Sequence, residues 1–562
     1  MSLEDDLPFG LSETRRFVSS GAELALFKPM KVDSGEIEFV DYQGGDDLVE
    51  RFATMGLGRS VFPESPSQRE FMQYLVNHGI YEPFKAVQLK LSVQAPIDVA
   101  LNMVYAPMCS VNEYSGRYSV MLNSSRQLKL SDLEGMPEDH AKKIIEMFNA
   151  GREGDYQKYL KLSGENGLDM TRELGRSILG IDNDTRFYWK IDLFSLANFV
   201  DKHAELFHQG SYKDDYLHAL YDIGSKVAPL AWEALMGSDA EKINLTFPKD
   251  KEIVDSSLSP ALWGVDKTKR VIVPALEERL YKIQNFLDCG EFQPVEYMGN
   301  DESFAQAART SYGKGTKTLQ NDRALIRTLI RDAHTSPIEM AELAFETKSP
   351  MFVDPRQFAR HRMLDTSGFM GLNTVGSQFY HIPESEFKYQ DRTDRQGRGK
   401  EMDGEDLTQT KELLFSTLED QKLRANQLDS LDAPEWVVRQ SKGVGFYTKS
   451  WRSGDTHNLG HMIGLRADKH AQKEIRDLAY LVMDAMKSHT PIAVEAMQNY
   501  NWDAMKLSAN EQKLFARLLK EKIDLEDFEN YKGVGFIIGK DDEKKLGREG
   551  LAFKEKLKQL LG

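Results

Sequence analysis

Only two cysteines occur in 562 residues, Cys109 and Cys289. Two are too few for a disulfide framework or a cysteine-based zinc site. No uninterrupted apolar run approaches the roughly 18 residues needed to span a bilayer, so no membrane partner is expected. The first ten residues, MSLEDDLPFG, are acidic where a secretory signal is basic and then apolar. These absences predict a cytoplasmic protein. Positive charge is also scarce: 72 Lys plus Arg stand against 88 Asp plus Glu, a net charge of −16. Such a surface repels a phosphate backbone and excludes nonspecific binding of a nucleic-acid polymer, yet leaves room for a small anion held by local arginines. There is no Walker loop, G-x-S-x-G elbow or Rossmann glycine fingerprint, and Gly313-Lys-Gly-Thr-Lys-Thr318 lacks the Walker spacing. The chain does have an ordinary globular balance, 41% hydrophobic and 28% charged. Its length suits two to four domains or one repeated unit.

A repeat is present. Val40-Asp-Tyr-Gln-Gly-Gly-Asp-Asp47 resembles Val295-Glu-Tyr-Met-Gly-Asn-Asp-Glu302. Ala95-Pro-Ile-Asp-Val99 resembles Ser349-Pro-Met-Phe-Val353, and Pro229-Leu-Ala-Trp-Glu-Ala-Leu235 resembles Pro491-Ile-Ala-Val-Glu-Ala-Met497. Three collinear matches with a slowly drifting offset indicate two copies of one domain. The expected plan is an N-terminal extension 1–36, copy one 37–245, a linker 246–291, copy two 292–500 and a charged helical extension 501–562. Helices are expected over Ser67–Gly79, Asp322–His334 and Asp468–Lys487. Val87–Val93 alternates apolar and polar residues, as a half-buried strand does. Residues 385–410, charged and Gly-containing, read as a surface insertion.

Four segments could carry chemistry. Ser110-Val-Asn-Glu113-Tyr-Ser115-Gly116-Arg117-Tyr-Ser119 offers a hydroxyl, an open backbone and a guanidinium fork to an anion, or is a polar loop of turn residues. Gln357-Phe-Ala-Arg360-His361-Arg362 packs cations that repel one another unless an anion is near, or forms a solvated basic turn. Leu465-Arg466-Ala-Asp468-Lys-His470-Ala-Gln-Lys-Glu474-Ile-Arg476 reads as the start of a helix, mostly solvated, with Arg466 the member expected to point into a pocket. His457 and His461 stand four apart but lack the internal glutamate of a zincin, and no metal is expected.

At these residues the chain resembles the flavin-dependent thymidylate synthases. That family's signature joins Arg-His-Arg to a nearby Ser-x-Asn-Glu-x-Ser-Gly-Arg-Tyr and a later Leu-Arg-Ala-Asp-x-His-Ala-Gln. Neither copy holds all of it. Copy one keeps Ser110–Tyr118 but has Tyr105-Ala-Pro107 for Arg-His-Arg, Lys202-His203-Ala204 for Leu-Arg-Ala and Ile80-Tyr-Glu-Pro83 for a His-Glu-Thr-Pro segment. Copy two keeps Arg360-His361-Arg362, Leu465–Gln472 and His334-Thr-Ser336-Pro337, but reads MLDTSGFMGLNTVGSQFY after Arg362.

The resemblance implies an α/β (α+β) fold, two tandem domains each with a mixed or antiparallel sheet packed by long helices. It implies methylation of dUMP to dTMP with FAD, NADPH and 5,10-methylenetetrahydrofolate. Because family sites are shared between subunits, the losses look complementary. Gln357, Arg360, Arg362 and Arg466 would come from copy two; Glu113, Ser115, Gly116, Arg117, Arg176 and Asn198 would come from copy one. Arg117 and Arg176 would bind the dUMP phosphate and Arg466 would stabilise charge on the pyrimidine. Flavin would be held by His334, Ser336, Arg360, His361, Arg362, Glu113 and Asn198. The family's homotetramer implies here a homodimer of chains, a pseudo-tetramer of domains. Hydroxymethylation of dUMP, or a catalytically lapsed binding protein, would need the same pocket.

Overall fold

A computed structural model describes residues 28–57, 67–117, 119–163, 168, 170–206, 213–237, 270–310, 319–353, 357, 370–390, 398–431, 433, 435–504, 508, 509, 512, 537, 538, 545 and 546. In copy one, β1 (Met30–Val32) and β2 (Gly35–Gln43) lead into α1 (Asp46–Leu57) and α2 (Gln68–Asn77). Ser67 and Glu70 close a reciprocal capping box at the start of α2. Next come β3 (Gln88–Pro96), β4 (Cys109–Glu113), α3 (Glu138–Ser163), β5 (Asp184–Asp192), α4 (Leu193–Leu206) and α5 (Pro229–Met236).

Copy two repeats this order. It comprises β6 (Gln284–Phe286), β7 (Gly290–Met298), α6 (Asp301–Thr310), α7 (Leu319–Arg331), β8 (Glu342–Pro350), β9 (Met370–Phe379), the hairpin β10 (Lys388–Gln390) and β11 (Arg398–Glu401), α8 (Gly404–Ser430) and β12 (Phe446–Asp455). α9 (Thr456–Arg466), α10 (Lys473–His489) and α11 (Pro491–Met497) close it. The sheets have the same topology, β1-β2-β3-β5-β4 and β6-β7-β8-β12-β9, and every named pairing is antiparallel. The expected α+β duplication is therefore the observed architecture. The insertion at 385–410 contains the β10–β11 hairpin and the start of α8. Residues through Met497 form one unit. In the remainder, the described strands are a short pair, Ile537–Ile538 with Lys545–Leu546; most of the helix expected over 501–562 lies outside the described residues.

One face of sheet one packs apolar side chains, Phe39, Leu89, Leu91, Val93, Trp189 and Ile191, against Trp232, Leu220 and Val200 from its helices. The other face overturns the half-buried reading of β3: Gln88, Lys90 and Ser92 are buried as well. Lys90 lies against copy two. Lys90 Nζ donates to Ser303 Oγ at 3.1 Å and to the Met340 carbonyl at 3.2 Å. Asp41 Oδ2 accepts from the Gly299 amide at 2.7 Å, where a φ of +73° suits a residue without Cβ. The copies also exchange helices. α1 lies on sheet two, with Phe52 against Trp451 at 4.7 Å between ring centroids, and α6 lies on sheet one, where Ala307 meets Tyr188.

Each copy is closed by the same device. Asp46 accepts from the Leu230 and Ala231 amides at 3.1 and 2.8 Å; Asp301 accepts from Ile492 and Ala493 at 2.9 and 3.0 Å. The proline-led helices α5 and α11 thereby gain partners for first-turn N–H groups. Burial pushes both carboxyls up to about 6, while the amide donors pull them down. A folded-state value above the ordinary one means that the native protein holds the proton more tightly. Stability should therefore fall as pH rises from about 4 through about 6 and level off above that, by roughly 2–3 kcal/mol per carboxyl. Calorimetry across this window is expected to show the decline in the native protein and a flatter profile in Asp46→Asn/Asp301→Asn. Identical profiles would remove these carboxyls as its source.

Candidate functional site

β4 is an edge strand of sheet one, hydrogen-bonded to β5 and lying against the 3-10 turn Ser336–Met340 of copy two. Asn112, buried on β4, joins the copies. Its Nδ2 donates to the Ala307 carbonyl on α6, and its Oδ1 accepts from Ser336 Oγ at 3.2 Å. Ser336 and His334 are exposed beside this junction, and Pro337 anchors the turn in the interior. The next residue of β4, Glu113, is exposed; its Oε1 accepts from Thr185 Oγ1 at 2.7 Å. Asn112 and Thr185 were absent from the expected site. Asn112 at least belongs to the quoted motif, whereas nothing local marks Thr185, which reaches Glu113 only through strand pairing.

The chain then turns. The Tyr114 amide donates to the Arg186 carbonyl at 2.7 Å, and Ser115 Oγ accepts from the Arg117 amide at 3.3 Å. Gly116 is buried where a Cβ would stand 2.7 Å from Met121 Sδ and 3.1 Å from Arg176 Cδ, so a side chain here would push Arg176 away. Arg117 lies exposed, its Nε 3.3 Å from Glu173 Oε2. Both partners are more than half exposed, and such a pair contributes under about 1 kcal/mol. The loop thus gathers Ser115, Gly116, Arg117 and Arg176, with two guanidiniums held only lightly by protein.

A third group lies within copy two. Gln357 Nε2 donates to Gln472 Oε1 at 3.2 Å. Arg466 is half-buried in the last turn of α9, not at a helix start as expected, because the chain leaves the helix before α10 begins. Asp468 fastens that turn, accepting from both the His470 amide and ring at 2.8 Å. The amide bond, followed by the ring bond, holds its carboxyl below the usual range. Arg476 donates to the Lys469 and Ala471 carbonyls at 3.0 and 3.3 Å. Arg360, His361 and Arg362 lie outside the described residues.

Asn198 is exposed on α4, a helix that packs on copy one's own 3-10 turn Glu82–Ala86; Phe194 of that helix stacks on Tyr81 at 4.8 Å. The residues standing where copy one lost its motif are occupied differently. Tyr105 is 81% exposed, and His203 folds back, Nδ1 2.8 Å from the Phe199 carbonyl and its ring on Phe199. His457 is pushed down by burial, opposed by Asp455 and reinforced by His461. Among the described residues no three His, Cys, Asp or Glu side chains converge as metal ligands. Among them, too, no helix is long and apolar enough to cross a membrane.

The family model described as thymidylate synthase complementing protein matches residues 38–230 and again 294–492. A flavin-dependent thymidylate synthase of Ehrlichia ruminantium (strain Gardel) is 36% identical over 253 residues, 45% of this chain and 85% of that protein. Its namesake in Wolbachia pipientis wMel is 34% identical over 259 residues, 45% of this chain and 90% of that protein. The crystal structure of a UMP/dUMP methylase PolB from Streptomyces cacaoi, bound with 5-Br UMP, shares 20% identity over 36% of this chain and 93% of its own, with a TM-score of 0.30, too low to bear on function.

Asn112→Ala is expected to leave the Ser336 hydroxyl and the Ala307 carbonyl without this partner. Chemical denaturation should register a loss of about 1–3 kcal/mol. An unchanged midpoint would show that the junction does not depend on this side chain.

Proposed function

The chain belongs to the thymidylate synthase complementing protein family, whose domain it carries twice, and on that premise we propose that it methylates dUMP to dTMP at a composite site built from both copies. FAD is the proposed flavin, 5,10-methylenetetrahydrofolate the carbon donor and NADPH the reductant. The observation that carries the composite reading is the Ser336–Asn112 hydrogen bond. It sets the retained His-Thr-Ser-Pro turn of copy two beside the retained Glu113–Arg117 segment of copy one. Each segment is the one its partner copy has lost.

The described residues of the copy-one loop and of the Ser336 turn support the roles proposed for them. Gly116 has no room for a Cβ, and its lack of one lets Arg176 close on the loop that carries Arg117, two guanidiniums suited to the dUMP phosphate. The Ser336 hydroxyl oxygen, oriented by Asn112, and the Glu113 carboxylate, oriented by Thr185, offer acceptors to the N–H groups at the polar edge of a flavin. His334, Arg360, His361, Arg362 and Asn198 complete the proposed flavin set; Gln357, Arg360, Glu113, Ser115 and Arg466 complete the nucleotide set. When bound, flavin supplies the redox chemistry and folate the carbon. The chain's own work is to hold, orient and neutralise. Arg466 is assigned the negative charge that develops on the pyrimidine as C5 becomes nucleophilic, a preorganised electrostatic role. A dimer of chains would present four domains and two such sites.

Incubation with dUMP, methylenetetrahydrofolate and NADPH is expected to release tritium from C5 and yield dTMP; a 5-hydroxymethyl product would overturn the methylation. Arg466→Ala should lower turnover by about 100- to 1,000-fold. Arg117→Ala and Arg360→Ala should each remove nearly all activity, and the double variant should be little worse than either. Flavin should titrate to about one equivalent per chain under this scheme. Two equivalents, or half the rate in either single variant, would mean two independent sites.

A further inference from the structure

The seam between the copies carries its charges unevenly. Arg51 on α1 and Lys190 on β5 belong to copy one; Glu342 and Glu346 on β8 and Asp455 on β12 belong to copy two. Arg51 grips Glu346 through two parallel bonds, Nε to Oε1 at 2.5 Å and Nη2 to Oε2 at 2.8 Å. Lys190 Nζ donates to Glu342 Oε2 at 2.8 Å and lies 3.7 Å from Asp455 Oδ2. Lys190, Glu342 and Glu346 are each 1% exposed or less.

Because the sheets share one strand order, their registers identify the counterpart of each ion. Glu342 pairs with Asp455 and Met298; in sheet one Gln88 pairs with Asp192 and Gln43. Glu346 opposes Trp451, as Ser92 opposes Tyr188. Lys190 opposes Lys90, as Ser453 opposes Ala344. Arg51 follows the capping Asp46 at the same spacing as Gln306 follows Asp301. Each member of the two closest ion pairs is therefore a neutral residue in the other copy.

Two copy-one faces brought together would set Lys190 against Gln88 and Arg51 against Ser92. Asp192 would stand where Asp455 does, and like Asp455 it caps its own helix, so Lys190 would lose its 2.8 Å bond to Glu342 and keep only the more distant carboxylate. Two copy-two faces would set Glu342 against Ser453 and Glu346 against Gln306. Both arrangements bury ions stripped of the partner they bond directly, a defect far costlier than the modest net gain from a good buried pair. Selectivity here comes from what the wrong pairing would bury.

We propose that these two charge pairs are a pairing code: the polar sheet face of copy one binds the polar face of copy two, within one chain or in a second molecule, and rejects another copy of itself. The proposal rests on the seam alone and does not depend on the catalytic reading. Its consequence is that every seam that forms brings β4 of copy one to Ser336 of copy two.

A protease site introduced between Gly237 and Arg270 lets the folded full chain be nicked, and sub-denaturing urea lets the fragments exchange. Native mass spectrometry is expected to find unlike fragments paired one to one; like pairs at comparable abundance would overturn the code. Reversal of one side only, Arg51→Glu with Lys190→Glu or Glu342→Lys with Glu346→Arg, should abolish pairing, and all four together should restore it. A fourfold variant no better than its halves would also overturn it. Should the half-reversed chains fail to fold, Arg51→Met and Glu346→Gln decide the matter. Each should lower the unfolding midpoint and the pair should regain most of the loss, whereas additive losses would refute the coupling.

Discussion

Arg51 and Glu346 stand 295 residues apart in sequence and meet inside the protein, out of water. Much of the architecture depends on encounters of this kind. Each sheet has one apolar face, which its own helices cover, and one polar face, which only the other copy covers. Removing that polar face from solvent is tolerable only because its groups find partners: Lys90 on Ser303 and Met340, Lys190 on Glu342, Gln43 on Ser453 at 3.2 Å. Arg270 reaches across in the other direction, its guanidinium 4.7 Å from the centre of the Tyr42 ring while it donates to Glu296 Oε1 at 2.6 Å. The exchanged helices α1 and α6 follow from the same contact, since each covers sheet area that its own copy leaves bare.

The duplication was legible because offsets survive where side chains do not. The paired motifs that announced it include Asp46 and Asp301, and the structure gives both one task, capping the last helix of their copy. β3 was legible as a strand, but not in its surroundings. Gln88, Lys90 and Ser92 alternate with apolar residues whether their face meets water or the polar face of another sheet, and period alone does not distinguish the two. The break after Arg466 was hidden for a different reason. Charged and apolar residues keep helical spacing through 465–476, while the turn is made by Asp468 bonding its own neighbourhood.

Much of the site could be named but not assembled from sequence. The Ser110–Arg117 motif and the His334–Pro337 turn each stand out locally. Their adjacency follows from tertiary packing across 224 residues, and it is Asn112, not a residue singled out beforehand, that makes the bond. Gln357 and Gln472 illustrate the same gap within copy two, 115 residues apart. Gly116 shows the opposite case. Its place in the motif signals a close backbone approach, and the structure supplies the physical reason in Arg176, which packs where a Cβ would stand.

A seam lined with polar groups also bears on how the chain reaches its folded state. The contacts that complete sheet one come from residues synthesised long after it. At about 5–20 residues per second, copy one waits on the order of ten seconds or more for its partner. During that wait its uncovered face displays Gln88, Lys90, Ser92 and Lys190, groups that water solvates well. An apolar seam of the same area would present a sticky surface to every neighbouring chain over the same interval. Once copy two emerges it is already tethered, at an effective concentration that owes nothing to how much protein the cell makes. The polar seam gives up part of the hydrophobic drive of a greasy interface, and in return the unfinished half remains soluble until the other half arrives.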